Sequence, residues 1–248
     1  MNQLLHYRTL GGLLDGDRRL IGRDPTLLLA ICAPLLMVIV FRFGIPVITA
    51  ALAEHAGFDL TPYYPLLSAF VLLLQPMLLG MVSGFLMLDD RDEGVLSAIA
   101  ITPLAHTGYL LYRMLVPVVA SVAAVYVVLA GIGLASFSYV KVLPVAVMAG
   151  LEAPLMALFL IAFAGNKVEG MALAKVGGFA VVLPVGVIAL VPWPFELLAG
   201  VTPGYWVVKG FTAQFQGWLP YGASVAVGFI VHGLALAGLW RVYERRRG

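Results

Sequence analysis

Six stretches of the 248-residue chain are nearly free of charge and apolar on every side of a helical wheel. They run Thr26–Thr49, Pro65–Leu88, Met114–Ala135, Val142–Ala164, Ala172–Pro192 and Leu219–Trp240. A hydrocarbon core of about 30 Å takes roughly 20 helical residues at about 1.5 Å each, so each stretch reads as a transmembrane helix. Alternation at a period of two is missing, which speaks against a transmembrane barrel. The pattern predicts an all-α membrane protein, one domain over residues 1–248, with six spans.

The segments between the spans have patterns of their own. Over residues 1–25, Tyr7, Leu10, Leu13, Leu14, Leu20 and Ile21 share a broad arc, with Arg8, Asp15 and Arg19 largely opposite. This predicts an amphipathic helix lying at the membrane interface. Asp17 falls off that pattern, and Gly11, Gly12 and Gly16 weaken it. The charges spread through this segment leave no apolar core for a signal peptide. Residues 193–217 are apolar but broken by Pro194, Gly200, Pro203, Gly204 and Gly210. A re-entrant or interfacial helical hairpin fits them, provided that its freed backbone groups are buried against protein. Trp193, Trp206 and Trp218 on that segment, and Trp240 at the far end of the last span, suit interfacial belts.

Composition agrees with lipid as the main solvent: 62% of residues are hydrophobic, 11% are charged, and the mean hydropathy is +1.00. Soluble domains carry about 25% charged residues, so soluble enzymes and nucleic-acid-binding modules are excluded. The single cysteine, Cys32, allows no intrachain disulfide. With both termini in the cytoplasm, the inner segments hold Arg8, Arg18, Arg19, Arg23, Arg91, Arg113, Lys167, Lys175, Arg241, Arg245, Arg246 and Arg247. Only Arg42, Lys141 and Lys209 of the 15 basic residues then lie outside, as the positive-inside rule requires. Arg42, deep in the first span, is expected to snorkel to the outer interface.

Little here promises catalysis. No phosphate loop of the form G-x-x-x-x-G-K-[ST] is present; Gly165-Asn166-Lys167 lacks the spacing and the hydroxyl. No H-E-x-x-H or Cys/His cluster offers a zinc site. Gly80-Met81-Val82-Ser83-Gly84 has one residue too many for a nucleophile elbow and reads better as small residues at a close helix contact. Three polar side chains fall near the bilayer midplane: Gln75, Glu152 and His232. An ionisable residue at that depth is costly unless paired, which makes it a functional candidate. Glu152, just before Pro154, suits contact with a polar or cationic group on a transported compound; the alternative is a hydrogen bond between helices, to Gln75 or His232. An intramembrane enzyme using Glu152 and His232 as acid and base lacks a nucleophile.

The segment Asp89-Asp90-Arg91-Asp92-Glu93-Gly94-Val95-Leu96, running on to Ile101-Thr102-Pro103-Leu104, joins spans two and three. Acidic side chains at its front suit the positive end of a short helix. Val95, Leu96, Ile99 and Ala100 form an apolar side, and Thr102-Pro103 reads as the cap and first residue of the next helix. Residues 89–104 thus predict a short cytoplasmic coupling helix, acidic at one end and apolar along one side.

Glu93-Gly94-Val95-Leu96 followed by Ile101-Thr102-Pro103-Leu104 resembles the corresponding segment of ABC transporter permeases of the type-two export class. Asn166-Lys167-Val168-Glu169-Gly170 resembles a cytoplasmic patch of drug-export members. The resemblance implies six spans, cytoplasmic termini, an interfacial N-terminal helix and a re-entrant outer segment before the last span. It also implies a bacterial cytoplasmic-membrane location, a second permease copy, and a separate ABC ATPase that holds the ATP and magnesium, with no cofactor on this chain. The docking residues it implies are Asp89, Arg91, Asp92, Glu93, Gly94, Leu96, Thr102 and Pro103, with Asn166, Lys167 and Glu169 as a second contact. The expected function is export of a small hydrophobic or amphipathic compound, a drug or lipid, through a path past Gln75, Glu152 and His232. The alternative is a secondary carrier or channel that needs no ATPase; internal repeats, which mark many carriers, are not evident.

Overall fold

The computed structural model describes residues 7–95 and 105–247, which contain helices and turns but no strand. Helix α1 (Tyr7–Arg23) leads through Asp24 into α2 (Pro25–Ile39). The Asp24 carboxylate accepts from the N–H of Thr26 at 2.8 Å and of Leu27 at 3.3 Å, and Pro25 fills the first helical position, where no N–H is needed. A π-helical turn, Val40–Gly44, joins α2 to α3 (Ile45–Ala56). The first span therefore runs Pro25–Ala56, longer than the apolar count to Thr49 suggests. Hydropathy marks where lipid ends; the helix continues until its hydrogen-bond ladder is broken, here at Gly57.

Next come α4 (Tyr64–Asp92), α5 (Ala105–Ile132) and α6 (Tyr139–Phe163). They are followed by α7 (Lys167–Gly177), α8 (Phe179–Leu190), a 3-10 turn (Phe195–Val201), α9 (Pro203–Ala213) and α10 (Trp218–Arg247). Among the described residues six helical stretches are long and apolar enough to cross a membrane. The chain is a multi-pass membrane protein.

Two expectations change. The fifth span, expected to start at Ala172, starts at Lys167 and runs to Leu190, α7 and α8 meeting at Gly178. Asn166 caps it, accepting from Glu169 N–H at 3.0 Å, while the Glu169 carboxylate accepts from Gly165 N–H at 2.6 Å. This reciprocal cap starts a helix where hydropathy alone still reads polar. Second, the acidic run Asp89–Asp92 closes α4 instead of opening a separate helix. The 29 residues of α4 extend about 43 Å, so its end projects beyond a core of about 30 Å. Arg42 is exposed and donates to the carbonyl of Gly131 at 2.8 Å, answering the negative end of α5.

Helices α4 and α6 form the centre: 78% of the most apolar window of each is buried, against 11% in the first and last spans. They approach closely because a Cβ on Gly80 would overlap the carbonyl of Ala153, and one on Gly84 would press on Leu160. Helices α2, α8 and α10 turn side chains such as Leu29, Leu35, Phe179, Leu183, Ile230 and Leu234 outward, as lipid-facing surfaces do. Segment 193–217 consists of the 3-10 turn and α9, and α9 buries Tyr205, Val207, Val208 and Phe211 against α4, α6 and α10.

Candidate functional site

Two polar regions stand out against this apolar body, and the first lies at the end of the bundle where α1 packs and α10 finishes. Along α1, Leu13, Asp17 and Ile21 recur every four residues and so share one face; Leu13 and Ile21 pack on the core. That register explains the off-pattern aspartate. The Asp17 carboxylate meets the guanidinium of Arg113 at 2.8 Å and the Tyr112 hydroxyl at 2.7 Å. Arg113, 3% exposed, also binds Asp90 at 2.5 Å, and the Tyr109 hydroxyl donates to Asp90 at 2.6 Å. Burial pushes the Asp17 carboxyl above its usual range, with the Arg113 charge pulling it part of the way back.

A second cation serves the same end. Lys167 Nζ lies 2.7 Å from Asp89 and 2.9 Å from Asp24, and its hydrogen bond holds the Asp24 carboxyl below the usual range. Anions at the C-terminus of α4 oppose the helix dipole, and Arg113 and Lys167 supply the compensating charge from α5 and α7.

The expected docking residues divide accordingly. Arg91, Asp92, Glu93 and Gly94 are exposed, as are Asn166 and Glu169. Gly94 turns the chain out of α4 with a φ of 71°, a left-handed conformation that glycine adopts without strain. Asp89 and Lys167 are half-buried in their mutual ion pair and Arg91 donates to the carbonyl of Ala164 at 2.9 Å, so all three are tied to the bundle. Leu96, Thr102 and Pro103 lie outside the described residues. Beside Arg91 and Glu169 opens a cleft of about 580 Å³, lined also by Phe163, Tyr243 and Arg246. Arg246 stacks on the Phe163 ring at 4.8 Å and donates to the carbonyl of Ala162 at 3.1 Å.

The second region is internal. His232 on α10 is fully buried, with Nδ1 2.7 Å from the carbonyl of Gly228 and Nε2 3.4 Å from Oε1 of Glu152 on α6. Glu152 stands in the wall of a cavity of about 310 Å³, among Met77, Met156, Phe159, Ala180 and Leu239. Gln75 does not join this pair; it is fully buried in α4 with neither amide atom hydrogen-bonded, and it is absent from the wall. Of the three midplane residues, the fold thus brings two together. Among the described residues no group of three or more His, Cys, Asp or Glu side chains is placed to hold a metal.

Sequence reasoning missed the Asp17–Arg113–Asp90 cluster. A signal was present in an aspartate interrupting an apolar stripe and an arginine at the mouth of a span, since each charge needs a partner when buried. Which charge meets which was not readable.

Comparison with known proteins bears on this arrangement. Residues 17–240 match the family described as fluoroquinolones export permease protein Rv2686c-like. The chain belongs to this family. It is 33% identical to the fluoroquinolones export permease proteins of two Mycobacterium tuberculosis strains, CDC 1551/Oshkosh and H37Rv, over 256 aligned residues covering 100% of this chain and 97% of theirs. No solved structure matches it. As a member of an export permease family it is a transport protein, and the matched residues take in the Asp17–Arg113–Asp90 cluster and the Glu152–His232 pair.

Proposed function

We propose that this chain is the membrane-spanning subunit of an ATP-driven exporter in the bacterial cytoplasmic membrane, with both termini in the cytoplasm. It moves a small hydrophobic or amphipathic compound, of the drug class named for its relatives, out of the cell. The observation that carries this reading is the family match over residues 17–240. The chain has no phosphate loop, so the ATP and magnesium belong to a separate ABC ATPase, and a second permease copy completes the assembly.

The ATPase docks on the end of α4 and the chain that follows, through Asp92, Glu93, Gly94, Leu96, Thr102 and Pro103, flanked by Arg91, Asn166 and Glu169. Asp89 and Lys167 bond the docking segment to the bundle. ATP-driven closure of the partner then reaches α4, and through its tight contact with α6 it shifts the walls of the interior path past Gln75, Glu152 and His232. Packed interfaces of this kind switch between arrangements and do not stretch.

Affinity purification of the chain from its native membrane should bring down a soluble ATPase of the phosphate-loop type. Glu93→Lys should keep insertion and helicity but lose ATP-dependent export in vesicles holding both subunits. Export by the purified chain alone, without nucleotide, would favour the carrier reading and end this one.

A further inference from the structure

The geometry at Glu152 leaves room for one positive charge. The carbonyl of Gly228 can only accept, so Nδ1 of His232, at 2.7 Å, carries a proton. A neutral His232 therefore turns the lone pair of Nε2 toward the Glu152 carboxylate 3.4 Å away, and neither atom has a hydrogen-bond partner. Two acceptors facing each other in an apolar interior repel. A second proton, on the imidazole or between the two groups, relieves them, and so does any other cation that reaches the carboxylate.

The second route is open. The Glu152 side chain is 12% exposed, and what it faces is the 310 Å³ cavity. Among the described residues that line it, Glu152 alone is ionisable; the rest are aliphatic, aromatic, thioether or glycine groups from α4, α6, α7, α8, α9 and α10. On the other side α9 begins: a Cβ on Gly204 would lie 3.4 Å from Oε1, so the electropositive end of that helix borders the carboxylate.

Other charges are held elsewhere or lie at the rims. Lys209 on α9 is bound by Glu196 at 2.5 Å, and Arg113 on α5 by Asp17 and Asp90. Lys141, at the far end of α6, bonds the carbonyl of Gln214. Lys175 on α7 and Arg241 and Glu244 on α10 are exposed, α8 has no ionisable side chain, and the charges of α4 start at Asp89. The Tyr205 phenol on α9 is buried and feels the charge of Glu196.

We infer that this cavity binds a hydrophobic organic cation, an ammonium or phosphonium centre carrying apolar bulk, and that the cation and a proton on His232 compete for Glu152. The apolar walls take the bulk and the carboxylate takes the charge. When the cation arrives, His232 gives up its proton; when the proton returns, the cation loses its counter-charge and leaves. The inference deepens the exporter reading by naming the class of compound carried, but binding itself requires no ATPase.

The test is binding of radiolabelled tetraphenylphosphonium, whose charge does not titrate, to the purified full-length chain in lipid nanodiscs without nucleotide or partner. Wild type should bind it, and lowering the pH should weaken the binding as protons displace the cation from the Glu152–His232 pair. Glu152→Gln should lose at least about tenfold in affinity, since a desolvated cation is left without its carboxylate. His232→Gln should lose the pH dependence of binding. Neutral triphenylphosphine oxide should bind wild type and Glu152→Gln alike. Met156→Trp, which fills the cavity and leaves both polar groups, should abolish binding and stands in should Glu152→Gln fail to fold.

Equal affinity in wild type and Glu152→Gln would overturn the inference. So would a loss in His232→Gln as large as that in Glu152→Gln, because the pair would then be a structural bond. If the phosphonium binds as described but no ATPase-dependent export is found, the exporter reading fails and the site stands. If export proceeds and the phosphonium does not bind, the site fails and the exporter reading stands.

Discussion

Replacing Arg113 by methionine keeps most of its volume and removes one charge, yet it should be among the most damaging single changes in the molecule. The guanidinium is 3% exposed and holds Asp90, 10% exposed, and Asp17, 15% exposed. Methionine leaves both carboxylates facing each other in a place water barely reaches. Removing one member of a buried ion cluster costs about 3–5 kcal/mol, mainly because the remaining charge is stranded. The Tyr109 and Tyr112 hydroxyls still donate to the two aspartates, which argues for the lower end, about 3 kcal/mol. At about 2–4 °C per kcal/mol for a chain of this size, the melting temperature should fall by about 6–12 °C. The assay is thermal unfolding in detergent followed by tryptophan fluorescence.

The damage should also depend on pH in a defined direction. Burial already raises the Asp17 carboxyl, and Arg113 is the largest influence opposing that rise. Without it the folded-state value climbs further above the unfolded one, near about 4. A carboxyl with a raised folded-state value adds stability that is complete below the unfolded value and disappears as pH rises through the folded one. The deficit of Arg113→Met relative to wild type should therefore be smallest near about pH 4–5 and grow toward about pH 8. Adding Asp17→Asn and Asp90→Asn should restore stability to within about 1 kcal/mol of wild type, because no charge is then left unpaired. A melting temperature unchanged in Arg113→Met, or a triple variant no better than the single one, would refute the buried-cluster reasoning.

Two further changes probe how the bundle is tied together. Lys167→Ala should cost about 1 kcal/mol or less at neutral pH, as its partners are partly exposed. Because Lys167 depresses the Asp24 carboxyl, that stability is present above about pH 4 and lost as pH falls through the folded-state value, so the melting curves of wild type and variant should converge below about pH 4. Gly80→Ala forces a methyl group into the backbone of Ala153 and should destabilise by about 1–3 kcal/mol, whereas Gly12→Ala, which meets nothing within 4 Å, should be neutral or slightly stabilising in the same unfolding assay.

Pro34, Pro76, Pro117, Pro144, Pro154 and Pro184 all sit inside helices, as their place within apolar runs required. Glu152 was singled out for its depth, and either Gln75 or His232 could have met it; helix rotation, which hydropathy does not report, put His232 there. The acidic residues 89–92 looked like the start of a helix because anions favour that end. They lie instead at the wrong end of α4 for the dipole, and two cations from distant segments make that tolerable.

Six spans, and the placing of Gln75, Glu152 and His232 within them, follow from the chain's own pattern. The cost of moving polar groups into lipid is paid residue by residue, so a linear reading recovers it. Which helices form the centre, which aspartates share Arg113, and that Glu152 faces a cavity with His232 at its back were decided only when the helices packed. Those outcomes depend on the rotation and close approach of elements up to 96 residues apart, as between Asp17 and Arg113. No local sum along the chain contains that information.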